Sequence, residues 1–176
     1  MKKYLIATSD FKTVLDEQIR KHKPEYVLYR DKENPNYKAD AIEFVKMCKK
    51  YNNLKCFLHR EIDLAKSLGA DGVHLTSTQF DKVEYAKSLG LEVIVSTHTK
   101  EEVLDMQNKG ANGVTYSPIF HSPHKGQPKG VADLAEVVNM FDIKVFALGG
   151  IISQDQINQI EKTNCYGFAS IRYFSS

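Results

Sequence analysis

Short apolar runs recur at regular intervals along the whole chain. Most of them lack polar alternation, which is typical of strands buried on both faces in a parallel sheet. Eight such runs predict strands at residues 4–7, 26–29, 54–58, 72–75, 92–95, 113–116, 144–148 and 166–171. Their first residues lie 18 to 31 residues apart, which leaves room for a helix and two short turns in each interval.

Helical patterns occupy the intervals between the runs. An apolar face at positions i, i+3, i+4 and i+7 predicts a helix that carries Ala41, Phe44, Val45 and Cys48. Capping boxes predict two further helix starts, at Thr99 with Glu102 and at Ser153 with Gln156. Strands that alternate with helices predict an α/β fold with a parallel sheet. Eight βα units favour a compact (β/α)8 barrel, a TIM barrel, over an open doubly wound sheet.

One barrel domain accounts for the whole chain, residues 1–176. No linker or shift of composition divides it, and 176 residues divided by eight units leave 22 for each. The eighth helix is predicted to be short or missing, because few residues follow the last apolar run. Since that would expose one flank of the barrel, we expect a homodimer contact there.

A short internal repeat supports the barrel. The segment LGADGV at residues 68–73 recurs as KGANGV at residues 109–114, two βα units later. In both copies one glycine ends a helix and a second glycine begins a strand. These glycines are therefore interpreted as structural, with no part in chemistry.

Composition and charge exclude several classes of protein. Lys and Arg exceed Asp and Glu by 24 − 22 = 2, which gives no electrostatic case for nucleic-acid binding. Cys48, Cys56 and Cys165 are widely spaced in apolar stretches, which predicts buried free thiols and a reducing compartment. The first apolar run stops at Ala7, and no run reaches the ~20 residues of a membrane span. We therefore expect a cytoplasmic protein without membrane contact.

A phosphate site is predicted where strands seven and eight end, at the face where barrel active sites are built. Gly149 and Gly150 allow backbone amides to approach a phosphate closely, and a helix capped by Ser153 follows them. Ile171 and Arg172 follow strand eight and complete the site, with Arg172 as an anion ligand. A tight turn that merely needs glycine is the structural alternative.

Further cations follow strand two and lie in the longest loop. Arg30 and Lys32 can reach one anion together, Arg30 as a fork and Lys32 as a point charge. The loop at residues 117–130, after strand six, carries two histidines, two lysines and three prolines. A loop of that length beside such short turns is typical of a functional segment.

Several histidines are candidates for proton transfer near neutral pH. Those on the predicted functional rim are His59, His98, His121 and His124. The sequence alone does not rank them. His74, inside an apolar run, is interpreted as a buried core histidine, and His22 as a surface residue of the first helix. We predict no metal site, because no pattern of metal-ligand spacing is present.

Several of these segments, in this order and at this spacing, resemble the thiamine phosphate synthase and TenI-type thiazole tautomerase family along nearly the full length. They include YRDK at residues 29–32, GADGVHL at 69–75, VSTHT at 95–99, GVTYSPIF at 113–120 and ALGGI at 147–151. The resemblance implies a (β/α)8 barrel that acts in thiamine (vitamin B1) synthesis. The family's synthase joins a pyrimidine pyrophosphate to a thiazole phosphate and releases pyrophosphate with the help of Mg²⁺.

The resemblance also implies roles for individual residues. The family's pyrophosphate ligands are matched by Arg30, Lys32 and Lys125. The turn that holds the thiazole phosphate is matched by Gly149 and Gly150, and the family's serine after strand five by Ser96.

Two departures from the family pattern bear on the metal. The synthase has Mg²⁺-ligating aspartates after strands three and four, where this chain has His59-Arg60 and the segment TSTQ at residues 76–79. Arginine cannot ligate Mg²⁺, which takes oxygen ligands. Arg60 can instead neutralise an anion directly, and it is counted with His59 among the candidate ligand-binding residues.

The tautomerase branch lacks those carboxylates and needs only acid–base chemistry on a thiazole carboxylate phosphate. Its expected histidine after strand six is replaced by Pro118, so His121 or His98 is the candidate proton carrier. The sequence therefore favours a tautomerase-like enzyme that acts on a phosphorylated thiazole without a cofactor.

Two alternatives remain open. One is a synthase that has replaced its metal ligands, takes a pyrimidine pyrophosphate as well, and still uses Mg²⁺. The other is an inactive barrel that binds a thiamine precursor and regulates another process.

Overall fold

Eight parallel strands pair in sequence order and close into a barrel in the computed structural model, which describes residues 1–175. Closure comes from the pairing of the first strand with the last, where Tyr4 lies beside Ala169. The strands are β1 (Lys2–Ala7), β2 (Tyr26–Tyr29), β3 (Lys55–His59), β4 (Gly72–Leu75), β5 (Glu92–Thr97), β6 (Gly113–Tyr116), β7 (Lys144–Leu148) and β8 (Gly167–Ser170). This topology confirms the predicted (β/α)8 barrel.

Seven α-helices follow the first seven strands within the described residues. They are α1 (Phe11–His22), α2 (Tyr37–Cys48), α3 (Ile62–Leu68), α4 (Val83–Ser88), α5 (Lys100–Asn108), α6 (Gly130–Met140) and α7 (Gln154–Glu161). Both predicted capping boxes are present, at the N-termini of α5 and α7. After β8 the described residues form a 3₁₀ turn, Arg172–Ser175, in place of an α-helix, which agrees with the predicted short or missing eighth helix. No helix in residues 1–175 is long and apolar enough to cross a membrane.

Several strand bounds differ from the predicted ones, because the hydrogen-bonded ladder includes polar residues at the strand ends. β1 begins at Lys2 rather than at residue 4, since Lys2 pairs with Gly167 of β8. β5 continues to Thr97, which pairs with Tyr116 of β6. The three cysteines are buried and free, as predicted.

The prediction that His22 lies on the surface is wrong. His22 is 9 % exposed, and its ring packs against the rings of Tyr173 and Phe174 at 5.6 and 5.3 Å between centroids. The reason is tertiary, because the turn after β8 folds over the end of α1. The homodimer contact expected at this flank stays a prediction.

Aromatic rings fill the barrel interior below the carboxyl ends of the strands. Tyr4, Tyr26, Phe57 and Phe146 are all buried. Their ring centroids lie 5.2 to 5.9 Å apart in tilted or edge-to-face pairs, the geometry that aromatic rings prefer. This layer closes the bottom of the space that opens above it.

Glycines at the strand starts leave room for these rings. A Cβ at Gly72 would overlap the Glu92 carbonyl and would lie 2.8 Å from Cζ of Phe57. A Cβ at Gly167 would lie 2.8 Å from two carbons of the Phe146 ring. Gly72 is one of the repeat glycines that the sequence interpretation treats as structural. Its close approach to the Phe57 ring supports that interpretation.

Replacing Gly72 with alanine is expected to destabilise the fold by about 1–3 kcal/mol, the usual cost of overpacking a core. Gly113→Ala is the matched control, because a Cβ there meets its nearest atom at 3.1 Å and Phe146 only at 3.6 Å. Urea unfolding of both variants measures the difference. Equal stability of the two variants would contradict this packing account.

Candidate active site

A cavity of about 490 Å³ opens at the carboxyl ends of the strands. Among the predicted site residues, those that line it are Arg30, Lys32, His59, Ser96, His98, Lys125, Gly149, Gly150, Ile171 and Arg172. Arg60 and His121 lie outside this lining. Residues that the sequence did not single out as ligands also line it, including Ile6, Leu28, His74, Leu148 and Ala169.

Four cations line the cavity without a compensating carboxylate. They are Arg30, Lys32, Lys125 and Arg172, and within residues 1–175 the lining contains no aspartate or glutamate. The Arg30 charge, then partial burial, then the charges of Lys125 and Arg60 lower the pKa of Lys32. Burial also lowers the pKa of Arg30. A bound anion would relieve this repulsion, so the geometry favours an anionic ligand.

Tyr37 holds the ends of β2 and β3 together beside these cations. Its hydroxyl donates to the Tyr29 carbonyl at 2.9 Å and accepts from the His59 N–H at 3.0 Å. Its ring stacks on the ring of Tyr29 at 4.7 Å between centroids. Since Arg30 directly follows Tyr29, Tyr37 fixes the backbone from which Arg30 and His59 reach the cavity.

The turn at Gly149 and Gly150 packs against the loop that follows β6. Both residues have positive φ, 102° and 69°. A Cβ at Gly149 would lie 2.7 Å from Cα of Pro118, and one at Gly150 would overlap the carbonyl oxygen of His121. Two loop amides also donate to carbonyl groups of β7 and this turn, at 2.9 and 3.0 Å. Glycine is therefore required at both positions for the turn to pack against the loop, a contact that the local sequence does not reveal.

Unpaired backbone amides border the cavity at this turn and after β8. Within residues 1–175 the N–H groups of Gly150, Ile171 and Arg172 donate to no protein acceptor. Ser170 ties the two turns together, because its hydroxyl donates to the Ile151 carbonyl at 2.8 Å. Free amides beside an arginine are suitable partners for a phosphate.

His59 and His74 lie next to each other in the cavity, with ring centroids 6.4 Å apart. Burial lowers the pKa of His59 to about 3, and the charges of Arg30 and Lys32 add to the shift. Burial lowers the pKa of His74 to about 3 as well, with smaller effects of His59 and Arg30. Both rings are therefore neutral at physiological pH. His74 is buried and hydrogen-bonded, as interpreted from the sequence, yet it also lines the cavity.

These two histidines predict a loss of stability in mild acid. A histidine in the unfolded chain titrates near pH 6.5, so between about pH 6.5 and pH 3 the unfolded state binds protons that the folded state does not. The free energy of unfolding should therefore fall as the pH falls, by roughly 2 kcal/mol for each of the two at pH 5. Urea unfolding between pH 5 and pH 8 measures this, and His74→Gln should remove about half of the loss. Unchanged wild-type stability would contradict the neutral assignment.

His98 lines the cavity, and within residues 1–175 its Nε2 has no hydrogen-bond partner. Its Nδ1 lies 3.1 Å from the Ser117 carbonyl oxygen, which only accepts hydrogen bonds, and 3.3 Å from the Ser117 hydroxyl, which can accept from the same N–H, so we assign a proton to Nδ1. In the neutral ring Nε2 is then available to accept a proton. His121 is exposed, and its carbonyl group lies close to Gly150. Both side chains are exposed, but only His98 lines the cavity, so we favour His98 over His121 as the proton carrier.

The residues at the strand ends do not fit the Mg²⁺ that the resemblance implies for a synthase. The ends of β3 and β4 bring His59, Thr76 and Ser77 to the cavity, where Arg30 and Lys32 carry positive charge. Mg²⁺ takes oxygen ligands that include carboxylates. Within residues 1–175 no group of three or more His, Cys, Asp or Glu side chains is arranged to hold a metal.

Comparisons with known proteins place this barrel in a family. A family model described as thiamine monophosphate synthase matches residues 2–174. A putative thiamine-phosphate synthase 2 from Aquifex aeolicus is 36 % identical over 138 residues, which cover 76 % of this chain and 73 % of the relative. Thiamine-phosphate synthases from Prochlorococcus marinus and Dictyoglomus turgidum are 32 % and 33 % identical. Their matches cover 77 % and 76 % of this chain but only 40 % and 62 % of those relatives.

Solved structures show the same architecture. Thiamine phosphate pyrophosphorylase from Pyrococcus furiosus matches with a TM-score of 0.82 at 24 % identity, over 99 % of this chain and 90 % of that chain. A native KDPGal structure matches with a TM-score of 0.77 at 14 % identity, over 97 % and 82 % of the two chains. At these identities the likeness concerns the fold alone. The family match over nearly the whole chain shows that this chain belongs to the thiamine monophosphate synthase family.

Proposed function

We propose that this chain is a thiamine-biosynthesis enzyme that moves a proton on a phosphorylated thiazole without a metal, as a thiazole tautomerase does. The observation that carries the proposal is the cavity lining, which combines four cations and neutral histidines and contains no carboxylate within residues 1–175. Such a site binds anions and transfers protons with its own side chains. It offers no oxygen cage for Mg²⁺.

Two anionic groups of a thiazole carboxylate phosphate find separate partners in this cavity. The phosphate takes the free amides of Gly150, Ile171 and Arg172 and the Arg172 side chain. The carboxylate takes Arg30 and Lys32, whose mutual repulsion it relieves. The ring lies between these two groups, over the apolar part of the lining.

His98 then carries the proton. Its Nε2 takes a proton from an sp³ ring carbon of the bound substrate, whose ring is not yet aromatic, while the Ser117 carbonyl stabilises the proton on Nδ1. The imidazolium returns a proton to another atom of the same ligand, so the ring becomes aromatic and the enzyme is unchanged. A positioned histidine of this kind accelerates proton transfer by about 10²–10⁴-fold.

A synthase is the second candidate. The names of the relatives and the cations Arg30, Lys32 and Lys125 favour it, because three cations also suit a pyrophosphate. On this hypothesis the chain joins a pyrimidine pyrophosphate to a thiazole phosphate. The cations would then have to neutralise the leaving pyrophosphate in the absence of the usual aspartates.

A thermal-shift panel separates the two candidates. The panel contains thiazole phosphate, thiazole carboxylate phosphate, thiamine phosphate and pyrophosphate, each with Mg²⁺ or with EDTA. Thiazole carboxylate phosphate at a hundredfold excess over its Kd should raise Tm by about 5–10 °C in both conditions. A shift by pyrophosphate that requires Mg²⁺ would reverse the preference in favour of the synthase.

A further inference from the structure

A chain of hydrogen bonds runs from the aromatic layer of the barrel to the cavity. The Tyr4 hydroxyl lies 2.9 Å from Nδ1 of His74, and Nε2 of His74 lies 3.0 Å from Oγ of Ser96. Tyr4 is 0 % exposed and His74 3 % exposed. Ser96 lines the cavity, as does His74, and Ser96 is the more exposed of the two.

The single hydrogen-bond partner of Tyr4 within residues 1–175 determines the donor and the acceptor in each hydrogen bond of this chain. Within residues 1–175 the Tyr4 hydroxyl meets no hydrogen-bond partner other than Nδ1 of His74. A buried hydroxyl proton without an acceptor costs about 1–3 kcal/mol, so the phenol donates its proton to Nδ1. Neutral His74 then carries its own proton on Nε2 and donates it to the oxygen of Ser96.

The Ser96 proton is consequently free for the ligand. Its oxygen accepts from His74, and in the described part of the chain no protein group accepts from it. Thr115, which pairs with Ser96 in the ladder, has a buried hydroxyl oxygen that lacks a hydrogen-bond partner, so it does not take this proton either.

We infer that Tyr4 and His74 are positioning residues that aim the Ser96 hydroxyl proton at an acceptor atom in the ring of the bound ligand. The phosphate and carboxylate have partners of their own on the cationic and amide-lined parts of the cavity. Ser96 shares the lining with Ile6, Leu28 and Ala169, which suit an uncharged ring. If the ligand is a thiazole, as the proposed function states, the ring nitrogen is that acceptor, and this identification rests on the proposed function. The direction in which the Tyr4, His74 and Ser96 protons point does not depend on it.

Histidine ¹⁵N NMR tests the proton direction without any ligand. The His74 signals are assigned by their loss in His74→Gln. At pH 7 we expect a neutral ring with the proton on Nε2, and we expect Tyr4→Phe to shift the Nδ1 resonance because it removes the donor. Tyr26→Phe is the matched control: it removes another hydroxyl of the same aromatic layer, which contacts Tyr166 at 3.0 Å and not His74. A proton on Nδ1, or an imidazolium, would overturn the inference.

Calorimetric titration with thiazole phosphate tests the effect on binding. In the wild-type background Ser96→Ala should weaken binding about fivefold, the loss of one hydrogen bond. In the Tyr4→Phe/His74→Leu background the same change should cost less than twofold, because the hydroxyl has already lost its orientation. That background leaves no orphaned polar partner, so the fold should be retained.

An equal cost of Ser96→Ala in both backgrounds would overturn the positioning role. Inorganic pyrophosphate serves as the ring-free ligand, and its binding should be the same in wild type and Ser96→Ala. A wild-type protein that binds neither thiazole phosphate nor thiazole carboxylate phosphate would refute the proposed function and the ring contact, while the NMR result would still decide the proton direction.

Discussion

His98→Gln is expected to lower the turnover of thiazole carboxylate phosphate by about 10²–10⁴-fold, the usual contribution of a general acid–base residue. Glutamine keeps a polar side chain beside the Ser117 carbonyl, which now accepts from His98 at 3.1 Å. The glutamine side chain, unlike histidine, cannot take up a proton at neutral pH. Binding of the ligand should therefore stay within about twofold, since the phosphate and carboxylate contacts are untouched.

His121→Ala is the matched control for this prediction. His121 is exposed and lies outside the cavity lining, although the sequence offers it as an equal candidate. We expect its removal to change turnover by less than about threefold, as an exposed side chain without contact to the ligand should. Steady-state assays of both variants decide between the two histidines. Loss of turnover in His121→Ala with normal turnover in His98→Gln would transfer the role to His121.

Gly150→Ala is expected to destabilise the protein by about 3–5 kcal/mol and to abolish measurable phosphate binding. Two costs add at this position. Gly150 has a φ of 69°, which costs about 1–2 kcal/mol for any side chain. A Cβ would also overlap the His121 carbonyl oxygen and lie 2.8 Å from the Phe120 carbonyl carbon, and these backbone atoms cannot rotate away.

Gly126→Ala separates the two costs. Gly126 lies in the loop after β6, against which the Gly150 turn packs, and it has a φ of 74°, but a Cβ there would meet no atom within 4 Å. Its replacement should therefore cost only the backbone strain, about 1–2 kcal/mol. Urea unfolding and calorimetric titration with thiazole phosphate measure both variants. If Gly150→Ala lowered the free energy of unfolding no more than Gly126→Ala does, the contact between the Gly150 turn and the loop after β6 would not contribute to stability.

The barrel could be predicted because its signals are local. Apolar runs without alternation mark β1 to β8, and Thr99 and Ser153 mark two helix starts through their own side chains. The cations Arg30 and Lys32 and the pair of glycines stand directly after strands, and barrel topology brings all strand ends to one face. The wrong assignment of His22 has the opposite cause, since its neighbours Tyr173 and Phe174 lie about 150 residues away along the chain.

The contacts that organise the cavity could not be predicted from the sequence, because they join separate strands. Tyr37 links the backbones of β2 and β3, and Tyr4 of β1 reaches His74 of β4. Within its own segment, each of the two tyrosines, Tyr37 and Tyr4, resembles an ordinary aromatic core residue. The difference between His98 and His121 is likewise a matter of loop conformation, which residue types at 117–130 do not specify.

Turnover in the absence of divalent metal tests the central claim most directly. Purified protein is incubated with thiazole carboxylate phosphate in EDTA, and in parallel with a pyrimidine pyrophosphate, thiazole phosphate and Mg²⁺. We predict that the thiazole carboxylate phosphate is isomerised at the same rate in EDTA as in Mg²⁺, and that no thiamine phosphate forms in the parallel reaction. Thiamine phosphate formed only with Mg²⁺, and no isomerisation in EDTA, would contradict the claim.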